Sequence, residues 1–152
     1  KNMEKPVHTG GCPGSALKEF ARSESNYSES DYESKLKQWP VQIKLVPVNA
    51  PYFDNAEILV AADCAAYAHA NFNQEFMGDK VILIGCPKLD MTEYSEKLGE
   101  IFKANQIKSV TVVRMEVPCC GGLENAVKVA LSNSDKDISL KVITISVDGH
   151  VI

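Results

Sequence analysis

Five cysteines stand in this chain of 152 residues: Cys12, Cys64, Cys86, Cys119 and Cys120. A thiolate is a soft metal ligand, a nucleophile and a redox group, so cysteines are the first residues to weigh. The odd count, with no charged-then-apolar leader at the N-terminus, argues against a secreted disulfide framework. Free cysteine also packs as a small hydrophobe, so any single one reads equally well as core. Their neighbours are distinctive. Cys12 lies in Gly10-Gly11-Cys12-Pro13-Gly14, Cys86 precedes Pro87, and Cys119-Cys120 sit between Pro118 and Gly121-Gly122. Glycines at 11, 121 and 122 let backbone approach a bound group closely, and prolines stiffen the loops.

The elements that must position these residues follow from the hydrophobic pattern. Segments 57–62, 80–85, 109–117 and 140–147 are apolar runs suited to buried strands, and 41–48 reads as a fifth. Between them, 65–76, a segment opened by Thr92 and Glu93, and 123–133 are helix-prone, and a shorter helix is expected over 15–22. Residues 23–34 are polar and acidic, and read as a flexible connection. Asp148-Gly149 predicts a tight turn into a short terminal strand. The expectation is a single three-layer α/β domain over 1–152, with a mostly parallel sheet of about five strands and helices on both faces. In such sheets ligands bind beyond the carboxyl ends of the strands. Cys64, Cys86 and Cys119-Cys120 each follow a predicted strand, and each precedes a predicted helix. The helix N-termini are expected to favour thiolates there. Read from the residues, this is a metal–thiolate site with Cys12, Cys64, Cys86, Cys119 and Cys120 as candidate ligands. Of the adjacent pair, Cys119 is preferred as ligand, because consecutive side chains in an extended segment point apart.

Other residues are assigned plainer roles. His8, four residues before Cys12, could ligate a cluster or metal but reads first as a solvated terminal histidine, His69 reads as a core or surface residue, and His150 as exposed. Lys88 could balance the charge of a bound cluster or simply be a surface lysine. Arg114 needs a partner, with Glu116 the candidate. Asp63 is expected to cap the following helix, and Trp39 and Tyr52 to belong to the core. No phosphate loop, GxSxG elbow or dinucleotide GxGxxG is present. Twenty acidic against sixteen basic residues, a formal charge of −4, leave no footprint for nucleic acid or an anionic membrane surface. No apolar run reaches the length of a membrane-spanning helix. A cytoplasmic protein is expected.

The stretches HTGGCPGS (8–15), QWPVQIKLVPVNAPYF (38–53), ILVAADCAAYA (58–68), VILIGCPKLD (81–90) and SVTVVRMEVPCCGGL (109–123) resemble a family of ferredoxin-like iron–sulfur proteins of anaerobic bacteria and archaea. The resemblance runs over nearly the whole chain. Members of that family often carry an N-terminal ferredoxin module with C-x2-C-x2-C-x3-C runs, which this sequence lacks. The resemblance implies an iron–sulfur cluster, [4Fe-4S] by preference, and an electron-transport or oxidoreductase role in anaerobic metabolism. It also implies a redox partner protein or an N-terminal ferredoxin module as partner. Two alternatives stay open: a structural zinc–thiolate domain, and a metal-free thiol redox protein. Zinc sites favour paired C-x2-4-C knuckles and thiol oxidoreductases favour C-x-x-C, and neither spacing occurs.

Overall fold

A computed structural model describes Ala21 and residues 33–152. Cys12, Gly11, His8, all but Ala21 of the expected helix over 15–22 and nearly all of the acidic segment 23–34 lie outside the described residues.

Four strands form one parallel sheet: β1 (Ala56–Ala62), β2 (Val81–Gly85), β3 (Ile107–Met115) and β4 (Ser139–Ile145). Their spatial order is β2-β1-β3-β4. The central β1 is buried on both faces except at Glu57, which explains its nearly unbroken apolar sequence. Four α-helices follow strands or turns: α1 (Ala65–Ala68), α2 (Pro87–Asp90), α3 (Ser95–Ala104) and α4 (Gly121–Asn133). The chain passes from β1 outward to β2, then back across β1 to β3. With right-handed crossovers, that reversal puts the first connection on one face of the sheet and the next two on the other. On that second face α3 and α4 pack together, burying Leu98, Ile101 and Phe102 of α3 against Leu123, Ala126, Val127 and Ala130 of α4. The fold is the expected three-layer α/β arrangement.

The fifth strand is not formed. Val41 and Ile43 make one bridge to Ile84 of β2, through Ile84 N–H to Val41 O (2.8 Å) and Ile43 N–H to Ile84 O (2.9 Å). The chain then turns, with the N–H groups of Leu45 and Val46 both donating to Gln42 O. Pro47, lacking an N–H, could not have carried the ladder on. The outer edge of β2 is also met by the Gln38 amide, which donates to Ile82 O (2.5 Å) and accepts from Ile82 N–H (3.3 Å). At the opposite edge the expected turn is present: Gly149, at φ +101°, donates to Ser146 O, and Val151 bridges back to Ile145. Both edges are thereby blunted against further pairing.

The helix expected over 65–76 is broken. α1 ends after one turn because His69 turns extended (φ −91°, ψ 120°), and a π-helical turn, Asn73–Met77, follows. The His69 ring explains the break. Its Nδ1 meets Gly149 O at 2.9 Å and its Nε2 meets the Glu75 carboxylate at 2.6 Å, tying three separate segments together. The helix opened by residues 92 and 93 begins later, at Ser95, and Glu93 rather than Thr92 accepts the Ser95 N–H. Trp39, expected in the core, is 76% exposed.

Candidate functional site at the carboxyl edge of the sheet

The strand order reverses between β1 and β3, and the loops leaving the two strands run in opposite directions there, the position at which open α/β sheets bind their ligands. Cys64 follows β1 and begins α1. Cys119 lies in the 3-10 turn Pro118–Cys120 that follows β3. Cys86 follows β2, one strand further out, and begins α2. All three strand-end cysteines therefore lie at one edge of the sheet, two of them flanking the reversal. The four described cysteines are free thiols: Cys64 exposed, Cys86 and Cys119 half-buried, Cys120 buried.

Close packing brings the loops together. Gly122, in the first turn of α4, lies against Pro87 of α2, and a Cβ at 122 would stand 3.4 Å from that ring. The Cys86 loop and the Cys119-Cys120 turn are thus in van der Waals contact through these two residues. The turn is held from below by Arg114 on β3. Its guanidinium donates to Met115 O (3.1 Å), Val117 O (3.4 Å) and the Glu124 carboxylate (2.8 Å). Arg114 thus pairs with Glu124 rather than with Glu116, because α4 brings Glu124 over the strand end, where Lys128 also reaches it (2.7 Å). Gly121 sits against the same guanidinium.

The electrostatics differ from the expectation of helix-stabilised thiolates. Burial pushes the Cys64 thiol up, and the neighbouring Cys86, Asp63 and Cys119 push it further. Burial likewise raises Cys120, with Cys119 and Cys86 adding to it, against a backbone hydrogen bond at Met115 and the charge of Arg114. At Cys64 the four-residue α1 offers too few peptide dipoles to outweigh desolvation, and at Cys120 burial outweighs even the longer α4. In the metal-free protein Cys64 and Cys120 are therefore protonated thiols at neutral pH. Those mutual effects also report that the strand-end sulfurs lie within electrostatic reach of one another.

Asp63 does not cap α1, whose N-terminus has no side-chain cap. Its Oδ1 is enclosed without a hydrogen-bond partner, and burial followed by Asp90 raises its carboxyl, against a hydrogen bond from Gln42. Sequence reasoning missed Tyr94. This phenol is 2% exposed, accepts the Cys86 N–H at 3.0 Å and donates to the Asp90 carboxylate. Its signal was available in the spacing Gly85-Cys86…Asp90…Tyr94, where a small residue precedes the cysteine and a large polar aromatic returns one element later.

A Rossmann-like domain family matches residues 50–152. The chain belongs to this family. An uncharacterized protein of Archaeoglobus fulgidus is 36% identical over 118 residues, covering 77% of this chain and 83% of that one. No solved structure matches the chain. The family assignment overturns the resemblance to ferredoxin-like iron–sulfur proteins, for neither the Rossmann-like family nor the archaeal relative carries that description. The resemblance therefore no longer carries the metal-binding [4Fe-4S] character it implied. Among the described residues, no group of three or more His, Cys, Asp or Glu is placed to hold a metal ion. The thiols of this Rossmann-like domain stand near one another without forming a finished chelate. Its turn after β1, Asp63-Cys64-Ala65-Ala66, also lacks the glycines with which dinucleotide-binding relatives of the fold approach a pyrophosphate. Among the described residues, no helix is long and apolar enough to cross a membrane.

Proposed function

We propose that this Rossmann-like domain carries out redox chemistry in anaerobic metabolism through the cysteines at the carboxyl ends of its strands. The observation that carries the reading is the gathering of Cys64, Cys86 and Cys119 at one sheet edge, two of them beside the strand-order reversal where this architecture binds its ligands. The cofactor we propose for them is an iron–sulfur cluster, held by Cys64, Cys86 and Cys119. What supports it is the donor type, three free thiols at one sheet edge. Around one tetrahedral ion, thiolate sulfurs stand about 3.7 Å apart, as follows from a metal–sulfur bond of about 2.3 Å. In a cluster each cysteine takes its own iron, so the sulfurs lie further apart. Bound, the cluster supplies reversible electron transfer. The chain's own part is to supply the thiols from three loops, to give up their protons on binding, and to hold Cys120 in the packed layer behind. A redox partner protein would exchange electrons at this edge, in the cytoplasm, where thiols stay reduced.

Metal-free thiol chemistry is the second reading, favoured by the four free thiols Cys64, Cys86, Cys119 and Cys120 at the strand ends. Anaerobic purification with an absorbance spectrum, iron and sulfide analysis and a count of reactive thiols separates the two. Stoichiometric iron and sulfide, lost in Cys64→Ser, Cys86→Ser and Cys119→Ser, supports the cluster. Colourless protein whose strand-end thiols pair on oxidation and reopen on reduction keeps the redox function and removes the cofactor. Colourless protein with redox-inert thiols overturns both readings.

A further inference from the structure

Resting on that reading of the strand-end cysteines, we infer that Tyr94 is the positioning residue for the Cys86 sulfur and sets its redox behaviour. Four contacts close a loop around this cysteine. The Cys86 N–H donates to Tyr94 Oη (3.0 Å), and Tyr94 Oη donates in turn to the Asp90 carboxylate. The Asp90 N–H donates to Cys86 O (2.9 Å), and the Leu89 N–H donates to Cys86 Sγ (3.5 Å). Tyr94 arrives from the start of α3, so a residue outside the cysteine loop decides where that loop lies. The phenol spends its one proton on Asp90, and so presents a lone pair to the Cys86 amide.

The space for the phenol is prepared one residue before the cysteine. A Cβ on Gly85 would stand 2.7 Å from Tyr94 Oη and 2.8 Å from Cζ, closer than a real Cβ is found. The last residue of β2 is thereby tied to glycine by a side chain rather than by its own backbone angles. Cys86 is extended (φ −134°, ψ 106°), and only with its amide pinned does its sulfur lie over the first turn of α2 to accept the Leu89 N–H. Hydrogen bonds to a ligating or reactive sulfur tune its potential and nucleophilicity. Losing the pin therefore changes Cys86 chemistry while leaving Cys119, held by a different turn, as it was.

The test pairs Tyr94→Phe with Tyr52→Phe as the control, because Tyr52 Oη is enclosed without a hydrogen-bond partner away from the cysteines. Two readouts are taken: the midpoint potential of the protein as purified under anaerobic conditions, and iodoacetamide alkylation of Cys86 and Cys119 in cofactor-free protein, followed by peptide mass spectrometry. In Tyr94→Phe the potential shifts, and Cys86 alkylation changes by about tenfold relative to Cys119, while Tyr52→Phe leaves both readouts unchanged. Should Tyr94→Phe fail to fold, Gly85→Ala displaces the same phenol through the other side of the contact, and the same selective change at Cys86 is expected. A folded Tyr94→Phe with both readouts unaltered overturns the inference, as does an equal change at Cys86 and Cys119, which marks general loosening. If the wild-type protein shows no redox couple, the proposed function fails, and the alkylation ratio still decides the role of Tyr94.

Discussion

At the scale of single residues, Cys64 and Cys120 are governed more by desolvation and by neighbouring acidic groups than by the helices that follow them. Burial opposes ionisation of Cys64, and the neighbouring Cys86, Asp63 and Cys119 oppose it further, so its protonated form persists above the ordinary range of a thiol. Alkylation requires the thiolate. Cofactor-free protein is therefore expected to lose Cys64 to iodoacetamide slowly at pH 8 despite its exposure, with the rate still climbing above about pH 9, past the reference thiol value of about 8.5. A pH–rate profile by peptide mass spectrometry checks this, and a rate already on its plateau at pH 8 contradicts the account. The same protonation makes binding of any thiolate-ligated metal release protons, and hence strengthen as pH rises.

At the scale of elements, two contacts decide local geometry. The first is the Glu124 pair. Hydrogen bonds from Lys128 and Arg114 hold the Glu124 carboxyl below the usual glutamate range. With the folded value depressed, the unfolded chain binds more protons, so this contribution is complete above the unfolded value and is lost as pH falls through the folded one. Glu124→Gln is expected to cost about 1 kcal/mol at pH 7, the upper size of a solvent-screened pair. That difference should close in denaturant titrations as pH drops below the carboxylate range; a difference that stays constant down to pH 3 would sink the assignment. The second is the turn at Gly149. A Cβ there would meet Ala68 O at 2.2 Å, on a backbone at φ +101°. Gly149→Ala should therefore lift the C-terminal turn off α1, break the His69 to Gly149 contact, and cost about 1–3 kcal/mol from strain and overpacking. Hydrogen exchange at Ile152 N–H, which donates to Thr144 O, reads out the loss.

At the scale of the whole molecule, the sheet is held by a core that reaches both faces of β1. Leu59, fully buried at its centre, faces no polar alternative. Leu59→Ala is expected to cost about 2–5 kcal/mol, lowering Tm by roughly 4–20 °C at about 2–4 °C per kcal/mol for a chain of this size. A loss under 1 kcal/mol would mean the core collapses around the gap more readily than a strand buried on both sides should allow.

Much of this architecture was legible in the sequence. The four apolar runs, the cysteines at their ends and the patterned helices 95–104 and 121–133 rest on local periodicity and on burial of both sheet faces, which residue types alone encode. The α/β class follows from their alternation. What only the tertiary structure decided depends on groups far apart in the chain. His69 breaks a helix-prone segment because its ring finds Glu75 and Gly149. Residues 41–48 fail as a strand because Gln42 O is taken by the turn that follows. Arg114 chooses Glu124, and a buried phenol from the start of α3 claims the Cys86 amide. The protonation of the thiols belongs to the same class. Helix-terminus arguments speak for the thiolate, but desolvation and the nearness of other acidic groups exist only once separate loops meet at one edge, and at Cys64 and Cys120 they outweigh the helices that follow.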